Sequence, residues 1–155
     1  QKFYGSLCKA DLEPVKESII YVKKRHPGIW MEITTLLVPE ENDDPNELRE
    51  EAEWLASIDK DMPWHITAFH PDYKMRDKET TPVDALIKAQ EIAREEGIRH
   101  VYAGNLPFGH SDLESTICPK CRKELIRRVG FNIYKEGMVD GKCRHCGERI
   151  SGVWK

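Results

Sequence analysis

Four of the five cysteines stand in two C-x-x-C pairs, Cys118-Pro119-Lys120-Cys121 and Cys143-Arg144-His145-Cys146, with 21 residues between the inner two. A C-x-x-C turn directs both sulfurs to one side, so two such turns facing each other make a tetrahedral S4 site. Zn(II) suits that donor set, and so does a single rubredoxin-like iron, with redox dithiols or a cluster as the remaining alternatives. The site has no open coordination position for a substrate, so its expected role is structural. His145 sits inside the second pair, where a side chain usually points to solvent, and Cys8 reads as an ordinary half-buried thiol. No secretion signal is apparent, which favours metal ligation over disulfides.

Something must bring the two pairs together. Residues 124–128 and 131–134 read as two strands around Val129-Gly130, and that hairpin would join the knuckles. The segment 115–155 has little apolar material, so metal binding is expected to supply its folding energy.

The preceding stretch, 1–114, is patterned differently. A short helix is possible over 2–8, and a firmer one is predicted over 12–25 behind Asp11, with Ile19, Ile20 and Val22 apolar. Residues 29–38, 64–69 and 98–103 read as strands. The first runs almost continuously apolar, as in a strand covered on both faces. Helices are predicted over 46–57, with a stripe of Leu48, Ala52 and Leu55, and from the Thr81-Pro82 cap to about Glu96, ended by Gly97. Asp43-Asp44 reads as a solvated turn capping the earlier of these two helices. Alternation at this spacing argues for βα units and a parallel sheet. Three strands opening with a helix are few for a complete barrel or doubly wound domain, so further units are expected upstream.

Composition narrows the classes. Apolar residues make up 39% and charged residues 33%, which is globular and not disordered. No apolar run approaches the ~20 residues needed to span a bilayer, and a cytoplasmic location is expected. The net charge of −3 hides an asymmetry: from Cys118 onward there are ten Lys and Arg against four Asp and Glu, or +6, leaving −9 on the remainder. Nucleic acid is therefore an unlikely partner for the whole chain.

Several strings occur together in a recognisable order. They are Trp30-Met31-Glu32-Ile33-Thr34-Thr35-Leu36-Leu37-Val38-Pro39 with Asn42-Asp43, then Pro63-Trp64-His65, then Phe69-His70-Pro71-Asp72-Tyr73-Lys74-Met75. Thr81-Pro82, Val101-Tyr102-x-Gly104-Asn105-x-Pro107, Cys118-Pro119-x-Cys121 and Gly152-Val153-Trp154 follow. The set resembles the radical SAM enzymes of the AmmeMemoRadiSam system, which are similar to pyruvate formate-lyase-activating enzyme. The resemblance implies an α/β fold: the C-terminal portion of a partial (β/α)6 barrel, followed by a small four-cysteine zinc-ribbon-like β domain. It also implies that a [4Fe–4S] cluster, held by a C-x-x-x-C-x-x-C motif, reductively cleaves S-adenosylmethionine to a 5′-deoxyadenosyl radical. That motif is absent from this sequence, and by the resemblance it belongs to a missing N-terminal half. What the chain would keep is one wall of the S-adenosylmethionine pocket. His70, beyond the end of a strand, and Thr34 and Leu36, two apart on the preceding one, match positions near that cofactor. The loop from Gly104 to His110 could line the same mouth. Memo-like and AMMECR-type proteins are possible partners by the same resemblance, and the substrate is not readable. A reading from another class is a zinc-ribbon binding or scaffold module contacting nucleic acid or a protein through its +6 surface.

Overall fold

The computed structural model describes residues 2–106 and 110–154. Three strands, β1 (Ile33–Leu37), β2 (Trp64–Ala68) and β3 (Val101–Gly104), form a parallel sheet in the order β1-β2-β3. Each is preceded by a helix: α1 (Leu12–Arg25), α2 (Pro45–Ile58) and α3 (Val83–Glu95). α2 and α3 pack against each other and so lie on the same face of the sheet. The sheet is therefore singly wound, as sequential right-handed βαβ units require.

The helix-covered face carries the core. Leu37, Trp64, Ile66, Ala68, Val101 and Ala103 meet Leu48, Ala52 and Leu55 of α2 and Leu86, Ala89, Ile92 and Ala93 of α3, all at 5% exposure or less. α1 contributes less, reaching the core mainly through Ile19. Asp44 caps α2, accepting from the amides of Asn46 and Glu47 ahead of Pro45 in the first turn. Gly97, at φ +95°, closes α3 with Ile98 N donating to Ala93 O.

Several expectations need correction. The first strand is shorter than 29–38, because Ile29 and Trp30 follow the Gly28 turn and stay exposed. It is also not covered on both faces: Thr34 is exposed and Leu36 keeps 44% of its surface. The third strand starts at Val101 rather than residue 98, since Ile98 is spent on ending α3. Thr81 does not cap α3. Its hydroxyl is buried, accepts from Phe69 N at 2.8 Å and donates to Leu37 O, so it ties the ends of β1 and β2 together. Residues 2–8 contain a single π-helical turn, Tyr4–Cys8, with Cys8 exposed rather than half-buried.

Beyond a 3-10 turn (Ser111–Glu114), the ribbon holds β4 (Thr116–Ile117), β5 (Glu124–Val129), β6 (Asn132–Tyr134), β7 (Met138–Val139) and β8 (Lys142–Cys143). β4-β5-β6 form one antiparallel sheet and β7-β8 a separate hairpin. The β5–β6 hairpin turns at Gly130 as expected. The β7–β8 hairpin was not anticipated. Its turn is Asp140-Gly141, both at positive φ, a pair that marks a tight hairpin. A second small core forms from Cys118, Leu125, Ile126, Cys143 and Ile150. Trp154 folds back over Gly141 and donates to Ile150 O at 2.8 Å; a Cβ on Gly141 would lie 2.7 Å from its ring.

Candidate functional site

The ribbon builds its four sulfurs from two matching turns. Cys118 N donates to Lys123 O and Arg122 N to Cys118 O; Cys143 N donates to Glu148 O and Gly147 N to Cys143 O. The two knuckles thus share one backbone pattern, and the equivalent residues Arg122 and Gly147 both lie at positive φ, +61° and +75°. Facing each other, the knuckles place all four Sγ atoms within 4.8 Å of one another. The shortest separations run between knuckles: Cys118 to Cys146 and Cys121 to Cys143, both 3.6 Å. Neither is a disulfide, whose sulfurs would be about 2 Å apart. A tetrahedral Zn(II) or iron with metal–sulfur bonds of about 2.3 Å needs sulfurs about 3.8 Å apart, so the donor set fits a metal ion. His145 is exposed and outside this group.

The electrostatics of the bare thiols point the same way. Desolvation raises Cys143, but the amides of His145 and Cys146 and the neighbouring thiols outweigh it and bring it down to about 7. The Glu148 amide lowers Cys146, yet desolvation and the three other sulfurs push it up to about 12. Four thiols this close cannot all ionise unaided. A bound cation would remove that conflict and hold them as thiolates.

The second feature is the face of the sheet that none of the described helices covers. Parallel register sets Thr34 beside His65 beside Tyr102, and Leu36 beside Thr67 beside Gly104. Period-two alternation then brings all six to one surface. His65 Nε2 lies 2.6 Å from Glu32 Oε2, and its ring stacks on Tyr102 with centroids 5.1 Å apart. Trp30 Nε1 donates to the other Glu32 oxygen at 2.7 Å. Burial alone would raise the Glu32 carboxyl, but the bonds from Trp30 and His65 and the charges of His65 and Arg128 hold it below the usual range. The ribbon reaches this network. Arg128 lies 5.3 Å from the Tyr102 ring centre and donates to Glu114 O and Thr116 Oγ1, while Tyr102 Oη is 3.2 Å from Thr116 Oγ1.

At the C-terminal ends of the strands, polar side chains fix the loops. Asn42 donates to Leu36 O and accepts from Val38 N; Asn105 donates to Ala68 O. Lys78 and Glu41 pair at 2.5 Å, joining the loops after β1 and β2. His70 is exposed two residues past β2. Thr34 and Leu36 share the open face, whereas His70 belongs to the loop beyond it. Of the loop from Gly104 to His110, residues 107–109 lie outside the described residues.

A protein of Methanocaldococcus jannaschii, itself named only as uncharacterized, is 42% identical over 154 residues, covering 97% of this chain. The chain spans 45% of that relative's length. No family model matches the chain, and no solved structure does.

Sequence reasoning found the sulfur quartet outright. It missed the Glu32–His65–Tyr102–Arg128 network, although Glu32, His65 and Tyr102 lie within the strings that carry the resemblance. The available signal was the alternation of polar residues His65 and Thr67 within an apolar strand. Register between strands, which decides that Tyr102 stacks on His65, is not written in either strand alone.

Proposed function

We propose that this chain is the C-terminal part of a radical SAM enzyme similar to glycyl-radical activases: the last units of a partial (β/α)6 barrel, closed by a zinc ribbon. The observation that carries the reading is the singly wound sheet, with helices on one face and a polar open face on the other. A barrel segment has this layout, its uncovered face turned to the lumen. The 45% coverage of a longer relative is consistent with further units in the full-length protein.

In this reading Thr34 and Leu36 line the lumen near S-adenosylmethionine, and His70 sits at the mouth. A [4Fe–4S] cluster bound elsewhere in the full-length protein would supply the electron that cleaves the cofactor. The residues of this chain do not fit such a cluster. Outside the sulfur quartet the only cysteine is Cys8, which is exposed, so no electron-transfer step is assigned to these residues. Cys118, Cys121, Cys143 and Cys146 would hold Zn(II), which joins the two knuckles of the ribbon and leaves no position for a substrate. Memo-like or AMMECR-type proteins remain partner candidates by resemblance alone.

The test is anaerobic reconstitution of the full-length protein with iron and sulfide. A reduced-cluster EPR signal that changes on adding S-adenosylmethionine, with release of 5′-deoxyadenosine, is the expected result. A protein that takes up only one tetrahedral zinc and forms no 5′-deoxyadenosine would sink the reading.

One observation favours a second reading, a ribbon that binds nucleic acid or an acidic protein. Phe131 at the β5–β6 turn is fully exposed, and Arg127 covers the Tyr134 ring at 4.9 Å on the same hairpin. Oligonucleotide affinity that falls steeply with salt would support it.

A further inference from the structure

We propose that the outward face of the β5–β6 hairpin binds single-stranded nucleic acid, with a base stacked on Phe131 and phosphates held by Arg127 and Lys135. The inference rests on the second reading above and holds whether or not the sheet belongs to a barrel. Direct pairing sets Arg127 opposite Tyr134 and Val129 opposite Asn132, so alternation brings these four to one face. The other face is turned to the α/β part through Arg128, which contacts Thr116 and the Tyr102 ring. The outward face stays open: all four of its residues are exposed. Phe131, at the tip, is fully exposed, and Ile133 is exposed beside it. Apolar side chains scattered singly over a surface need no explanation, but Val129, Phe131, Ile133 and Tyr134 share one short hairpin, and such a patch marks a contact surface.

Charge decides what the surface fits. From Cys118 onward there are ten Lys and Arg against four Asp and Glu. Among the described residues of this segment only Lys120 pairs with a carboxylate, that of Glu148 at 3.8 Å. In the α/β part, by contrast, Lys23, Arg49, Lys78 and Arg99 are all held by carboxylates. Arg127, Lys135, Lys142, Arg144 and Arg149 are exposed and have no ion-pair partner among the described residues. On the hairpin itself the carboxylates, Glu124 and Glu136, stand at the base, the far end from Phe131. The negative remainder of the chain repels a polyanion and leaves the ribbon as its landing place. Arg127 lies 4.9 Å from the centre of the Tyr134 ring, so a cation and an aromatic side chain are presented together. A single strand uses both: each base offers a face to stack, and each phosphate takes a guanidinium or ammonium group. A duplex hides its base faces and would leave Phe131 and Tyr134 unused. An acidic protein surface answers the cations but not the aromatic rings.

The experiment is fluorescence anisotropy of labelled oligodeoxythymidylate and oligouridylate of about twelve nucleotides, titrated with the metal-loaded full-length protein at several salt concentrations. Wild type is compared with Phe131→Ala and Arg127→Gln, and a duplex of equal length and labelled polyglutamate are the other ligands. Both substituted side chains are exposed, so both variants are expected to keep their metal, which is measured in each. The expected result is a single strand bound more tightly than the duplex, with a log–log salt slope of about −2 to −3, as three or four of these cations on phosphates would give. Phe131→Ala should weaken binding about fivefold or more and leave the slope unchanged, because stacking displaces no counterion. Arg127→Gln should reduce the slope by about 0.7, the loss of one phosphate contact. Binding of either strand supports the inference, and the tighter one names the sugar. Affinity unchanged by Phe131→Ala, a slope unchanged by Arg127→Gln, or a duplex bound as tightly as the single strands would overturn the inference and leave the second reading in place. No oligonucleotide binding at low salt would overturn it as well; polyglutamate bound in that case would leave the acidic-protein form of that reading standing.

Discussion

Arg122 and Gly147 hold corresponding places in the two knuckles at φ +61° and +75°, but only glycine takes that conformation without strain. A side chain there costs about 1–2 kcal/mol, part of which is offset because glycine gives up more freedom on folding. Arg122→Gly should therefore stabilise the ribbon by about 0.5–1 kcal/mol. Gly147→Ala should destabilise it by about 0.5–1 kcal/mol, the strain less the same glycine offset, with no steric clash, since nothing lies within 4 Å of the added Cβ. Metal binding and folding are linked here, so competition against a chromophoric zinc chelator reads both changes. Opposite shifts are expected; two shifts of the same sign would mean the knuckles are not equivalent. Glu51 offers a pH test at the same scale. Burial raises its carboxyl above the ordinary 4.5, only partly countered by the Thr35 hydroxyl that donates to it at 2.5 Å. The folded state thus holds this proton more tightly than the unfolded chain. Stability from the protonated group is complete below about 4.5 and lost as pH rises through the raised value. Glu51→Gln should then change little near pH 4 and stabilise the protein increasingly towards pH 7 in urea unfolding. A gain that is flat with pH would contradict the assignment.

Elements here are held at their ends by single polar side chains. Thr81 is the clearest case, bonding Phe69 N and Leu37 O from a fully desolvated position. Thr81→Val keeps the shape and strands both backbone groups, so a loss of about 2–4 kcal/mol is expected in thermal or urea unfolding. Thr81→Ser should recover most of it, which separates the hydroxyl from the methyl. The helices were legible in the sequence because their signals are local: Asp44-Pro45 starts α2, Gly97 ends α3, and Leu48, Ala52 and Leu55 mark the buried stripe. Strand limits were less so. Ile29, Trp30 and Leu36 are apolar but exposed, and hydrophobicity cannot distinguish a face covered by protein from one left open. Thr81 looked like a helix cap because Thr before Pro at a helix start usually is one; its true bonds go to residues 12 and 44 positions away. The Asp140-Gly141 turn was readable and passed over.

At the scale of the whole chain, two cores of unequal strength share one small junction. The α/β core is built from large buried side chains such as Trp64, Ile66, Leu86 and Ile92. The ribbon core has three aliphatic side chains, Leu125, Ile126 and Ile150, beside two of the metal's own ligands. The sulfur quartet was legible because C-x-x-C spacing is a local code for a knuckle, while the junction contacts of Tyr102 with Thr116 and Arg128 depend on how distant segments meet. The imbalance fixes the response to metal loss. A segment this poor in apolar burial cannot offset the entropy of ordering its backbone, so removing the metal should melt residues 115–155 and expose the Tyr102 ring. Among the described residues the metal-ligand cluster lies in the ribbon and not in the α/β core, which should keep its helices. Hydrogen exchange before and after chelation checks this residue by residue. The expected outcome is lost protection across β5 and β8, retained protection in α2, α3 and β2, and recovery when zinc is returned. Protection that survives chelation in the ribbon would mean that packing against β3, rather than the metal, holds the four cysteines together.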